Sequence, residues 1–161
     1  MRDHCFAICV AGTDASVGTD AGGRDAATSG RASYYELNAM RTTDPMIECR
    51  SEGEAYLVIG RVGDATDGTS FQFTFRGIPA DGDHFLEAAT ALDIPPADGA
   101  NVFAGYASHV AGADQLHMGQ IGTVTVRREG TSLRVATATM ITSQEVASGA
   151  MGTIAANISC P

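Results

Sequence analysis

Two cysteines far apart in the chain, Cys49 and Cys160, constrain its fold more than any other feature, because nearly every strand-like pattern lies between them. In the closing run Gly152-Thr-Ile-Ala-Ala-Asn-Ile-Ser-Cys160, residues Ile154, Ala156, Ile158 and Cys160 recur at every second position. That period belongs to a half-buried β-strand, so Cys160 is expected to point inward. Ile47 and Cys49 share one parity, which places Cys49 at the inner start of a strand running through Tyr56-Leu-Val-Ile59. The pattern predicts a Cys49–Cys160 disulfide joining the first core strand to the last, with two buried free thiols as the alternative. Closing a loop of about 110 residues in this way stabilises a fold by roughly 4 to 5 kcal/mol in the chain-entropy description.

A chain of 161 residues is the size of one domain and long enough to bury a substantial core. Its 19 glycines, its many Ala, Thr and Ser, and its short apolar runs favour turns and short strands over long helices. The formal net charge is −9 and all ten basic residues are Arg. Without a basic surface to neutralise phosphates, nucleic acid is not an expected partner, and anionic membrane surfaces are disfavoured for the same reason. The absence of Trp removes the strongest stacking platform for sugars or bases. Ala55-Tyr-Leu-Val-Ile59 is far shorter than the roughly 20 apolar residues that span a bilayer.

The first eleven residues carry a charged beginning and a small apolar patch, shorter than the apolar region of a secretory signal, so they are not read as a signal peptide. Gly12-Thr-Asp-Ala15 then recurs as Gly18-Thr-Asp-Ala21, and through Ala32 the chain holds only Gly, Ala, Ser, Thr, Asp, Arg and one Val. Such a stretch buries too little apolar surface to offset its ordering entropy, and residues 1–32 are expected to form a flexible, acidic tether. A short cysteine-containing segment before such a tether looks like the mature start of a bacterial lipoprotein, with Cys9 of Phe6-Ala-Ile-Cys9 as the lipid-bearing residue. The alternative is a Cys5/Cys9 pair left as thiols or oxidised locally.

Residues 33–161 read as the folded domain. Ser33 to Met40 is a first strand, closed by the turn Thr42-Thr-Asp-Pro45. Glu54 to Val62 follows, apolar on both parities at its centre as in a strand covered on both faces. Ser70-Phe-Gln-Phe-Thr-Phe-Arg76 alternates cleanly and pairs with the preceding strand through the turn cluster Gly63-Asp-Ala-Thr-Asp-Gly68. Gly63 to Ser70 nearly spells a phosphate-binding loop, but it has no Lys, and Asp64 and Asp67 would repel a triphosphate. Phe85-Leu-Glu-Ala-Ala-Thr-Ala-Leu92 predicts two turns of helix capped by Asp83 and stopped by Pro95-Pro96. Val102 to Val110 resumes as a strand. Gly122 to Arg128 and Leu133 to Met140 then form a second hairpin across Glu129-Gly130-Thr-Ser132, with Arg127 and Arg128 able to answer the acidic segment 77–120. About seven short strands at this spacing predict a small antiparallel β-sandwich with one short helix.

Chemistry is sparsely signalled. His84, His109 and His117 lie in the acidic middle without close metal-ligand spacing, though Asp81, Asp83 and His84 could bind a ligand or divalent cation with a distant partner. The four cysteines include no Cys-x2-Cys, no Gly-x-Ser-x-Gly elbow occurs, and Ser108 and His109 are strand neighbours that face opposite ways. A carboxylate pair of the glycosidase kind needs a cleft, which sequence does not reveal. Asn157-Ile-Ser159 fits a glycosylation sequon by coincidence on a strand.

The order of parts resembles the mycobacterial LpqH-type surface lipoprotein antigens: a Gly/Ala/Ser/Thr tether, Cys49 before the apolar Ile59-Gly60 strand, a late Gly-rich hairpin, and a final strand ending Ile158-Ser-Cys160. This resemblance implies a small β-sandwich on the cell envelope, fastened by Cys49 and Cys160, and supplies no catalytic residues. The expectation is thus a non-enzymatic, exported or envelope-anchored monomer that presents a surface to a protein or envelope partner and needs no cofactor. The alternatives are a ligand- or cation-binding module around residues 81–117 and, after it, a secreted hydrolase.

Overall fold

Period-two alternation recurs between the turns of this chain, and among the described residues the regular secondary structure is all strand. The computed structural model describes residues 32–64 and 66–161; the tether and the roles suggested for Cys5 and Cys9 fall outside them. The strands are β1 (Tyr34–Leu37), β2 (Met40–Thr43), β3 (Met46–Glu52), β4 (Ala55–Gly63), β5 (Gly68–Arg76), β6 (Gly82–Leu86), β7 (Asn101–Val110), β8 (Ala113–Glu129), β9 (Ser132–Glu145) and β10 (Met151–Cys160). They make one sheet in the order β2-β1-β10-β9-β8-β6-β7-β5-β4-β3, antiparallel except where β6 runs beside β7. The all-β class is therefore present, but as ten strands of a single sheet where seven in a sandwich were expected.

The two outermost strands of that sheet, β2 and β3, are consecutive in the chain and separated only by Asp44 and Pro45. So short a connection forces the sheet to curl until its ends meet. Across the enclosed space Tyr35 of β1 stacks on Phe71 of β5 with ring centroids 6.0 Å apart, and its hydroxyl donates to the Thr69 carbonyl at 2.9 Å. Gly60 of β4 lies beneath the same ring, 3.2 Å from it at the place a Cβ would occupy. Register shifts in β8 between Gly119 and Val124 bend the longest strand, so its first part pairs with β7 and its last with β6.

The core is what the alternation dictates. Phe71, Phe73 and Phe75 of β5 are fully buried in a chain of ring contacts. Ile154, Ala156, Ile158 and Cys160 of β10 pack against them, with Val58, Val102, Val124, Val126 and Val135. Leu57 and Ile59, on the other face of β4, are buried as well, as its two-sided apolar pattern required.

Three local expectations are corrected. The helix over Phe85 to Leu92 does not exist: the segment begins as β6, and residues 87–100 continue as an irregular strap. Buried Thr74 donates to the Leu92 carbonyl at 2.7 Å, Gln72 donates to the same oxygen at 2.9 Å, and Arg76 donates to the Pro96 carbonyl at 2.8 Å. Those bonds, with Leu92 and Ala89 packed on Phe103 and Met118, outweigh the helical preference of the run. Cys49 lies in the middle of β3, opposite Val58, and not at the start of the Tyr56–Ile59 strand; Gly53, with φ +59, turns the chain between them. The stretch from Ser33 to Met40 is not one strand but a hairpin, turned by Asn38 and Ala39 at φ +50 and +64.

Two successive positive φ values are those of a type I′ turn, in which glycine is the favoured second residue. Ala39→Gly is expected to raise the unfolding free energy by about 0.5 to 1 kcal/mol, the relief of a left-handed alanine less the added freedom of the unfolded chain. A shift of the urea midpoint to lower concentration would show that reading of the turn to be wrong.

Candidate functional site

Where the two ends of the curled sheet approach, the end of β10 lies against the edge strand β3, and at this seam Cys49 and Cys160 are joined by a disulfide with Cα atoms 5.8 Å apart. Cys160 is buried by the parity of β10, and Cys49 packs against the same core. Asp44-Pro45 ties the sheet ends covalently at one corner, and the disulfide ties them at the seam.

Polar groups lie on the outside, among them the ion pairs of Arg50 and Arg61 with Glu48 and Glu52 on β3 and β4, and a further group on β6 and β8. A shallow open groove of about 540 Å³ is lined by Asp81, Gly82, Asp83, Thr125, Arg127 and Arg128. Thr125 donates its hydroxyl to Asp83 at 2.6 Å, and Arg128 approaches Asp81 at 3.7 Å. Such exposed pairs contribute little to stability, so the groove is a feature of the surface more than of the fold. Beside it Phe85, Ile121 and Met140 are exposed on β6, β8 and β9; Phe85 is level with Thr123, whose β9 partner is Thr139.

The trio Asp81, Asp83 and His84 does not converge. Successive residues on a strand face opposite ways, so Asp83 meets solvent while His84 turns inward. There His84 sits edge-on to Phe75 at 5.2 Å, with Nε2 2.9 Å from the Ala80 carbonyl and Nδ1 without a partner. Among the described residues no group of three or more His, Cys, Asp or Glu is placed to hold a metal ion. His109 pairs with Asp114 on the far hairpin of β7 and β8. Asn157 is buried and accepts from Arg134 at 2.9 Å, so its sequon is not offered to solvent.

His117, from the acidic middle segment, is buried on β8 between the Tyr106 ring and Ser143, whose hydroxyl is 3.4 Å from Nδ1. The signal for this was the Ala111-Gly112 turn, both residues at positive φ, which starts β8 at Ala113, well before the expected Gly122. Burial holds the ring below the ordinary histidine value of 6.5, and the Glu145 carboxylate opposes that shift without cancelling it. The folded state thus favours the neutral ring. Its contribution is complete above the unfolded value and is lost as pH falls through 6.5 to the depressed folded value. Melting curves of the wild type and His117→Gln are expected to converge as pH is lowered from 7 toward 5; parallel curves would remove His117 as the cause.

Fold and surface together define a class: a small, solid, disulfide-fastened curled β domain whose distinctive groups lie on its outer face. Compared with protein-family models, curated proteins and solved structures, the chain matches none.

Proposed function

We propose that this chain is a non-enzymatic β domain, exported or anchored at the cell envelope in the manner of a bacterial lipoprotein, that presents an interaction surface to a protein or envelope partner. The observation that carries this reading is the Cys49–Cys160 bridge across the seam of a filled sheet. A structural disulfide persists in oxidising compartments and is rare in a reducing cytosol. A packed interior leaves the outer face for recognition, and the groove of Asp81, Asp83, Arg127 and Arg128 beside exposed Phe85 joins charge to an apolar anchor. The likeness in layout to the LpqH-type antigens agrees with this, with Cys9 as the lipid-bearing residue.

Protease added to intact cells that make the chain is expected to remove it, while a cytosolic marker survives. Survival of the chain beside that marker would end the proposal. The groove also allows a ligand- or cation-binding reading, for which a thermal-shift screen with Ca²⁺, Zn²⁺ and common glycans is the check, since a ligand of the native state raises the melting temperature by mass action.

A further inference from the structure

Methionine is ordinarily a buried filler of irregular gaps, yet this domain displays it. Met40, Met46, Met140 and Met151 are 70%, 72%, 62% and 62% exposed, whereas Met118 is 4% exposed beneath the 87–100 strap. None of the four belongs to a core cluster. Met40 and Met46 stand on the two edge strands on either side of Asp44-Pro45, and Met140 and Met151 on the neighbouring strands β9 and β10. Among the described residues Cys49 and Cys160 are already oxidised to a disulfide and Met118 is buried, so these four thioethers are the reduced sulfur there that solvent can reach.

We propose that Met40, Met46, Met140 and Met151 are oxidant-accessible thioethers, four modification sites at which peroxide is consumed without loss of the fold. In each event the thioether sulfur attacks one oxygen of hydrogen peroxide. The O–O bond breaks, an S=O bond forms, and the other oxygen leaves as water; sulfur supplies the two electrons. The sulfoxide is polar, but at these positions it projects into water and disturbs no packing. Oxidation at these positions therefore alters the surface and not the core.

Peptide mapping after timed exposure of the full chain to hydrogen peroxide tests this. Met40, Met46, Met140 and Met151 are expected to gain one oxygen each while the circular dichroism is unchanged. Met118 is expected to react more slowly by about tenfold or more, because its oxidation waits on an opening of the core. Methionine sulfoxide reductases are expected to reverse the four modifications. In a background with Cys5→Ser and Cys9→Ser, replacing all four by Leu while keeping Met1 and Met118 is expected to diminish the fast phase of peroxide consumption relative to that background. Oxidation of Met118 at the rate of the others, unfolding on modification of the four, or an undiminished fast phase in the Leu variant would each overturn the proposal.

Discussion

Removing the bridge as the double variant Cys49→Ala and Cys160→Ala is expected to lower the unfolding free energy by about 4 to 5 kcal/mol, the chain-entropy value for a loop of this length. The loop spans 111 residues, nearly the whole described domain, so its opening releases the unfolded chain from its largest constraint. For a domain of this size the corresponding fall in melting temperature is roughly 10 to 20 °C. Both cysteines are changed together because Cys160 is buried, and a single substitution would leave a lone thiol in the core. The native state should respond locally too. With Asp44-Pro45 still joining β2 to β3, the sheet remains closed at that corner and loosens at the seam. Amide exchange is therefore expected to rise first in β3, the edge strand, and least in β5, which lies between β4 and β7. Denaturant melts of the two proteins that differ by less than about 1 kcal/mol would mean that packing alone holds the ends together and that the sulfur staple is dispensable.

How much of this was legible in the chain depended on whether local pattern and tertiary contact agreed. They agree in β5 and β10, where the period of two is uninterrupted and its inward residues are those found buried. They agree again at Gly130, where a two-residue loop joins β8 to β9. They part at Phe85 to Leu92, whose apolar spacing suits a helix but whose Leu92 carbonyl is taken by Gln72 and Thr74 of β5, with Arg76 of the same strand holding the Pro96 carbonyl beyond it. The two alanine turns, at Ala39 and Ala111, carry no propensity signal because alanine is rarely left-handed. The first merged β1 with β2 and the second hid the start of β8; the other two added strands are β3, set off from β4 by the turn at Gly53, and β6, where a helix was expected. At the candidate site, Arg128 does reach Asp81 as charge suggested, but strand parity separates His84 from Asp83. Their closeness in sequence carried no information about a shared site.

The turn that nearly spells a phosphate loop yields the second large effect, since its glycines serve the backbone. Gly63 and Gly68 pair across the mouth of the β4–β5 hairpin. Inside it the Asp64 carboxylate accepts from the Thr66 hydroxyl and from the N–H groups of Thr66 and Asp67, with the Thr66 hydroxyl foremost in holding its pKa below the ordinary carboxylate value. That preference for the ionised form supports the turn at neutral pH and fades as pH falls through the lowered value. A Cβ on Gly63 would lie 2.2 Å from the Asp67 carbonyl oxygen at a φ of +80, and one on Gly68 would lie 2.6 Å from the Asp64 carbonyl oxygen. In both cases the obstacle is main chain, which cannot rotate aside as a side chain can. Gly63→Ala is therefore expected to cost about 2 to 4 kcal/mol, combining left-handed strain with a clash that only rebuilding the turn relieves. Gly53→Ala is the matched control, because at φ +59 its Cβ would meet nothing within 4 Å and only the conformational cost of about 1 kcal/mol applies. Urea unfolding of the two variants separates sterics from backbone preference. Equal losses would show that the crowding at Gly63 is relieved without cost, and the hairpin would then owe its geometry to the Asp64 bonds alone.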